Sequence, residues 1–137
     1  MSFFGSTALQ AAVYDRLSND TVMVSLVGSD IYDVLPSGTI PDIYVTIGDE
    51  RVKDASDSTG DAVRVEFDVS VVSRSGGFQA AKSTGYAIIN ALVSTPMTLT
   101  QGHLAGLWFL KTTAKRTGDP EVRRLDLTFK GFVQDSL

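Results

Sequence analysis

The sequence contains no cysteine and only one histidine, His103, among its 137 residues. The first absence excludes disulfides and thiolate metal sites. The second excludes Cys–His catalysis and metal sites built from several imidazoles. No run approaches the ~18 apolar residues that a membrane-crossing helix needs. The opening Met1-Ser2-Phe3-Phe4-Gly5 lacks a basic region and a long apolar stretch, so it is not expected to act as a signal peptide. A surplus of basic residues is missing too. The formal net charge is -4 and the pI about 4.8, and an acidic domain repels phosphate backbones. The densest basic patch is Lys111, Lys115 and Arg116 with Arg123 and Arg124. Interspersed charge of this kind is ordinary for a solvated hairpin surface.

What is present is an ordinary globular composition, 43% hydrophobic and 20% charged. The length suits one domain spanning residues 1–137. Ser6 and Thr7 can cap a helix over about Thr7–Leu17, where Leu9, Ala12, Val13, Arg16 and Leu17 share one face. Asn19-Asp20 offers a second cap for a short helical turn through Val22, Met23 and Leu26, closed by Gly28. Ile31 to Val34 reads as a short strand. Pro36, Gly38 and Pro41 then make a loop. From Ile43 to Arg51 the alternation of Ile43, Val45 and Ile47 with Tyr44, Thr46 and Gly48 predicts a strand.

Residues 49–61, DERVKDASDSTGD, are polar apart from Val52 and Ala55. They exceed the usual 2–5 residues of a hairpin loop and predict a protruding polar loop or hairpin arm. Ala62 to Ser73 is the clearest strand: Val63, Val65, Phe67, Val69 and Val71 face one way, and Arg64, Glu66, Asp68 and Ser70 the other. Strict alternation marks an antiparallel strand with one wet face. A helix follows over Phe78–Val93, its interior Gly85 a small residue that can admit a close-packed strand. Thr98 to Thr100 is a possible short edge strand. Leu104–Lys115 and Val122–Val133 read as two long strands joined by a turn at Thr117-Gly118-Asp119-Pro120. On strict alternation the first puts Trp108, Leu110 and Thr112 on one side and Leu107, Phe109 and Lys111 on the other. Strands in runs rather than alternating with helices predict an α+β fold: a mostly antiparallel sheet with two main helices on one face and a long hairpin arm.

The catalytic patterns are weak. His103 sits in an expected turn, and no serine lies in a G-x-S-x-G elbow that would give it a nucleophile. Ser73-Arg74-Ser75-Gly76-Gly77 precedes a helix but matches neither phosphate-loop pattern. Asp54, Asp57 and Asp61 lack the glycine and closing glutamate of a calcium loop. Glu66 and Asp68 lie on the wet face of a strand, where carboxylates are expected without acid–base work. The expectation is a protein that is not an enzyme and uses no metal and no cofactor.

Four segments in this order carry a resemblance: Ala8-Leu9-Gln10-Ala11-Ala12-Val13-Tyr14-Asp15-Arg16-Leu17; Ile31-Tyr32-Asp33 with Pro36; Pro41-Asp42-Ile43-Tyr44-Val45-Thr46-Ile47-Gly48; and Val72-Ser73-Arg74-Ser75-Gly76-Gly77 running into a helix. From about Ala8 to Val133 the chain resembles the tail terminator, or tail completion, proteins of long-tailed phages and gene transfer agents. The resemblance implies a homo-hexameric ring on the head-proximal end of the tail tube, assembled in the host cytoplasm. Such a ring would stop growth of the major tail tube protein and meet a head-side stopper or connector protein in the neck. DNA would pass through its lumen without specific binding, and acidic character suits such a channel. A ring needs heterologous interfaces, and exposed strand edges such as Ile43–Arg51 and Leu104–Lys115 are templates for them. Asp49, Arg51, Lys53, Asp54, Asp57, Asp61, Arg74, Lys115 and Arg116 are the candidate interface residues. Another neck protein such as a stopper, or a small hydrolase or ligand-binding domain, are the alternative readings.

Overall fold

The structure, a computed structural model, describes residues 5–34, 38–74 and 77–135. The expected loop residue Pro36 and the Ser75-Gly76 part of the strand-to-helix turn lie outside these. The elements run α1 (Gly5–Asn19), α2 (Thr21–Val27), β1 (Ile31–Tyr32), β2 (Ile43–Asp54), β3 (Ala62–Ser73), α3 (Gly77–Val93), β4 (His103–Arg116) and β5 (Arg123–Gln134). One five-stranded sheet has the order β1-β2-β3-β5-β4. Every neighbouring pair is antiparallel except β1 with β2. The fold is α+β, and its sheet is mixed only through that short parallel pair.

The helices lie on one face because their apolar stripes match the inward face of the strands. Ala8, Leu9, Val13 and Leu17 of α1, Met23 and Val27 of α2, and Ala81, Ala87, Ile88, Ala91 and Leu92 of α3 join one core with Val63, Val65, Phe67, Val69 and Val71 of β3. Leu125, Leu127, Phe129 and Val133 of β5 complete it. Phe67 stacks on Phe129 at 5.5 Å between ring centroids, a geometry that adds about 0.5–1.5 kcal/mol beyond burial. Gly85 is what lets α3 approach: a Cβ there would lie 2.8 Å from Cδ2 of Leu125. Asp20 caps α2 by accepting from the Met23 amide at 3.0 Å, and Gly28 ends it at a positive φ of 59°.

Arg16 belongs to the buried stripe of α1 for a polar reason. Its guanidinium donates to the carbonyls of Ala91, Thr95 and Pro96 at 3.0, 2.9 and 3.0 Å. These acceptors lie at and beyond the end of α3, where helical carbonyls lack partners and the dipole favours a cation.

Several local expectations are corrected. The strand expected over Ile31–Val34 is confined to Ile31–Tyr32. Thr98 to Thr100 is not a strand; Leu99 plugs the core from a loop. His103 opens β4 rather than sitting in a turn. Of the two readings of residues 49–61, loop or hairpin arm, the structure shows the hairpin: 49–54 continue β2, and 55–61 form its loop, tightened by an Asp57–Gly60 bridge. β3 holds this half of β2 through Arg51↔Glu66, Val52↔Val65, Lys53↔Arg64 and Asp54↔Val63.

Strict alternation also fails in β4. The register skips between Leu104 and Gly106 and again between Phe109 and Lys111. Each bulge inserts one residue and reverses the side-chain sense beyond it. Trp108 and Lys111, opposite Lys130 and Thr128, therefore share the helix-free face. Phe109 and Thr112, opposite Phe129 and Leu127, face the helices. The ring contacts agree: Phe109 meets Phe129 edge-on at 5.7 Å, and the Lys130 ammonium sits 5.8 Å from the Trp108 ring centre.

Candidate assembly surfaces

Three surfaces lie outside the core: the face of the sheet away from the helices, the outer edge of β4, and the margin formed by β1 and the distal half of β2. Register assigns the helix-free face. It takes Arg51 and Lys53 from β2 and Arg64, Glu66, Asp68 and Ser70 from β3. It takes Arg124, Asp126, Thr128 and Lys130 from β5 and Lys111 and Lys115 from β4. Seven cations and three carboxylates share this face of a protein whose net charge is -4.

These charges form a lattice. Arg51 Nη2 lies 3.1 Å from Glu66 and 3.2 Å from Asp68, and the hydrogen bond to Asp68 leads the effects that push the guanidinium pKa up. The Thr128 hydroxyl donates to Asp68 at 2.8 Å. Asp126 sits at a second node, accepting from the Ser70 hydroxyl at 2.6 Å and from Arg124 at 2.8 Å, with the Lys115 ammonium at 3.0 Å. Partial burial pushes its carboxyl up, but these three donors together outweigh burial and hold it below the ordinary 3.8. Glu66 and Asp68, the candidate acid–base pair, are thus members of a positioned ion lattice.

The nine candidate interface residues do not converge on one site. Asp54, Asp57 and Asp61 gather at the end of the sheet where β2 turns into β3. Arg74, Lys115 and Arg116 lie toward the opposite end, and the register Ser73↔Arg123↔Arg116 puts Arg116 level with the end of β3, across β5. Asp54 accepts from the Ser56 hydroxyl at 2.6 Å and its amide at 3.2 Å; Asp57 accepts from the Thr59 hydroxyl at 2.6 Å and its amide at 2.8 Å. Those hydroxyls lead the effects that lower both carboxyl pKa values. The two aspartates are turn formers, and among the described residues no group of three His, Cys, Asp or Glu side chains is placed to hold a metal ion. Asp49 lies exposed in the β2 bulge and Lys53 is exposed opposite Arg64. Arg74 is exposed too, its amide donating to the Asp42 carbonyl at 2.7 Å.

Sequence reasoning missed the apolar part of these surfaces. On β4, Trp108, Phe109 and Leu110 remain 50%, 37% and 46% exposed. Three consecutive large apolar residues in a strand cannot all face one side, and that was the available signal. At the far margin Tyr14, Ile31, Tyr32, Val34 and Ile47 line a groove between α1 and β1. The Tyr32 ring lies 6.4 Å from that of Tyr44, and its hydroxyl donates to Asp30 at 2.5 Å, which pushes the phenol pKa up.

The family model described as tail completion protein gp17 matches residues 11–134. A chain in a solved structure described as the virion of a native gene transfer agent particle is 42% identical, with a TM-score of 0.92 over 97% of this chain and 99% of that one. No curated protein matches significantly.

Proposed function

This chain belongs to the tail completion protein gp17 family, and on that premise we propose that it is the subunit of a hexameric tail-terminator ring. At the coarser level it is a structural protein of a phage tail or phage-derived particle. The observation that carries the finer reading is the 42% identity, over nearly the full length of both chains, to a component of a gene transfer agent virion. The ring would sit in the tail neck, end polymerisation of the tail tube protein and meet the head-side connector. The free edges at opposite ends of the strand order support it. A heterologous contact joins two different faces and closes when the rotation allows. Its work would then be assembly rather than catalysis.

The test is deletion of the gene in a producing strain, followed by electron microscopy of the lysate. Loss of a terminator gives DNA-filled heads beside unattached tubes of unregulated length, restored by supplying the protein. Tubes of normal length beside heads that leak DNA would replace this reading with a head-side stopper.

A further inference from the structure

We propose that successive copies of this chain join by seating the β4 edge of one on the β1–β2 margin of the next. This rests on the ring reading and names the surfaces that would make the ring.

Charge is the first ground. β4 carries Lys111, Lys115 and Arg116 and no carboxylate. The opposite margin, residues 30–34 and 48–54, carries Asp30, Asp33, Asp49, Glu50 and Asp54 against Arg51 and Lys53. Within each copy Lys115 is held by Asp126 and Arg51 by Glu66 and Asp68. Lys111 and Arg116 on one side, and Asp33, Asp49 and Glu50 on the other, make no ion pair among the described residues. Opposite potentials on two faces steer their encounter and fix register.

Shape and backbone agree. Trp108, Phe109 and Leu110 expose apolar surface along the edge strand β4, Trp108 on the helix-free face and Phe109 on the helix face, and the groove lined by Tyr14, Tyr32 and Val34 offers apolar surface on the other margin, with Val34 80% exposed. Among the described residues β4 has no strand on its outer side, and β1 pairs with β2 only at Val45 and Thr46, which leaves β2 open from Gly48 to Asp54. β2 and β5 both run antiparallel to β3, and β4 runs antiparallel to β5. β4 is therefore antiparallel to β2. A second copy in the same orientation offers its open strand in the sense that an antiparallel ladder requires.

The absence of native cysteine permits a clean test. Leu110→Cys, Val34→Cys and the double variant are treated with a short bis-maleimide, in purified particles and in solution, alongside native mass spectrometry of the untreated protein. The double variant is expected to give a ladder up to the full ring. Mixed single variants are expected to give dimers alone, and either single variant by itself no covalent dimer. Lys111→Glu should weaken assembly by more than about tenfold. Adding Asp49→Lys and Glu50→Lys should restore it, with circular dichroism confirming the fold throughout. A closed oligomer in native mass spectra whose double variant does not cross-link overturns this inference and leaves the ring standing. Cross-linking of Leu110→Cys to itself overturns it in favour of a symmetric β4–β4 contact. A single copy per particle overturns both.

Discussion

Arg16 reaches from α1 to the C-terminal end of α3, where its Nη1 donates to the Ala91 carbonyl at 3.0 Å. With Thr95 and Pro96 as further acceptors, one side chain ties two helices together and satisfies carbonyls that the helix cannot. Hydrogen bonds from a charged group are each worth about 1.5–3 kcal/mol when well formed, and partial exposure places the sum at the low end. Arg16→Ala should therefore cost about 2 kcal/mol in urea unfolding. Arg16→Lys should recover less than half, because a single ammonium lacks the guanidinium fork. Equal stability of all three proteins would remove this tie from the account.

At Gly85 two effects oppose each other. Alanine is better than glycine in a helix interior by about 1 kcal/mol, but its Cβ would press on Leu125 Cδ2. Gly85→Ala should come out near neutral. Gly85→Val should lose about 1–3 kcal/mol through overpacking. Thermal unfolding of the two variants separates them, and a stabilised valine variant would show that α3 and β5 have slack.

Asp126 gives the sheet face a pH dependence. Its folded pKa is lowered from 3.8, so its contribution to stability is present above the unfolded pKa and is lost as pH falls through the lower folded one. Asp126→Asn should cost about 1–2 kcal/mol at pH 7. The gap between variant and parent should close below pH 3.8. Denaturant titrations at pH 7, 5 and 3 check this; a gap independent of pH would mean that the charge is not what stabilises.

The β2–β3 hairpin can be shortened only at its tip. Replacing Asp57–Gly60 by Asn-Gly keeps the β2–β3 pairs and should change stability by less than about 1 kcal/mol, since such turns suit two-residue hairpins. Removing Val52–Gly60 also takes away Val52, Lys53 and Asp54, the β2 partners of Val65, Arg64 and Val63, and should be clearly destabilising. If the shortened tip alone abolishes tail joining while the fold persists, the tip is a contact; unchanged joining would assign it to the turn alone.

Legibility of the sequence followed locality. The burial of β3 could be read because Val63, Val65, Phe67, Val69 and Val71 keep period two without a break. The β4 faces could not, because the bulges after Leu104 and Phe109 depend on pairing with β5. Arg16 could be placed on the apolar stripe, but its acceptors lie 75 to 80 residues away. Strand edges were named as surfaces from the sequence, yet the charge of the helix-free face emerged only when register brought together residues from four strands.

The two bulges of β4 also bear on solubility. An exposed strand containing Trp108-Phe109-Leu110, flanked by no carboxylate within β4, has the composition that favours uncontrolled stacking of many copies into fibres. Stacking of that kind needs a long, flat, uninterrupted edge, whereas here two skips, between Leu104 and Gly106 and between Phe109 and Lys111, break the ladder on both sides of the segment that holds Trp108 and Phe109. On the proposed contact, the extra twist at each bulge guards an edge that seats one partner from becoming sticky for all.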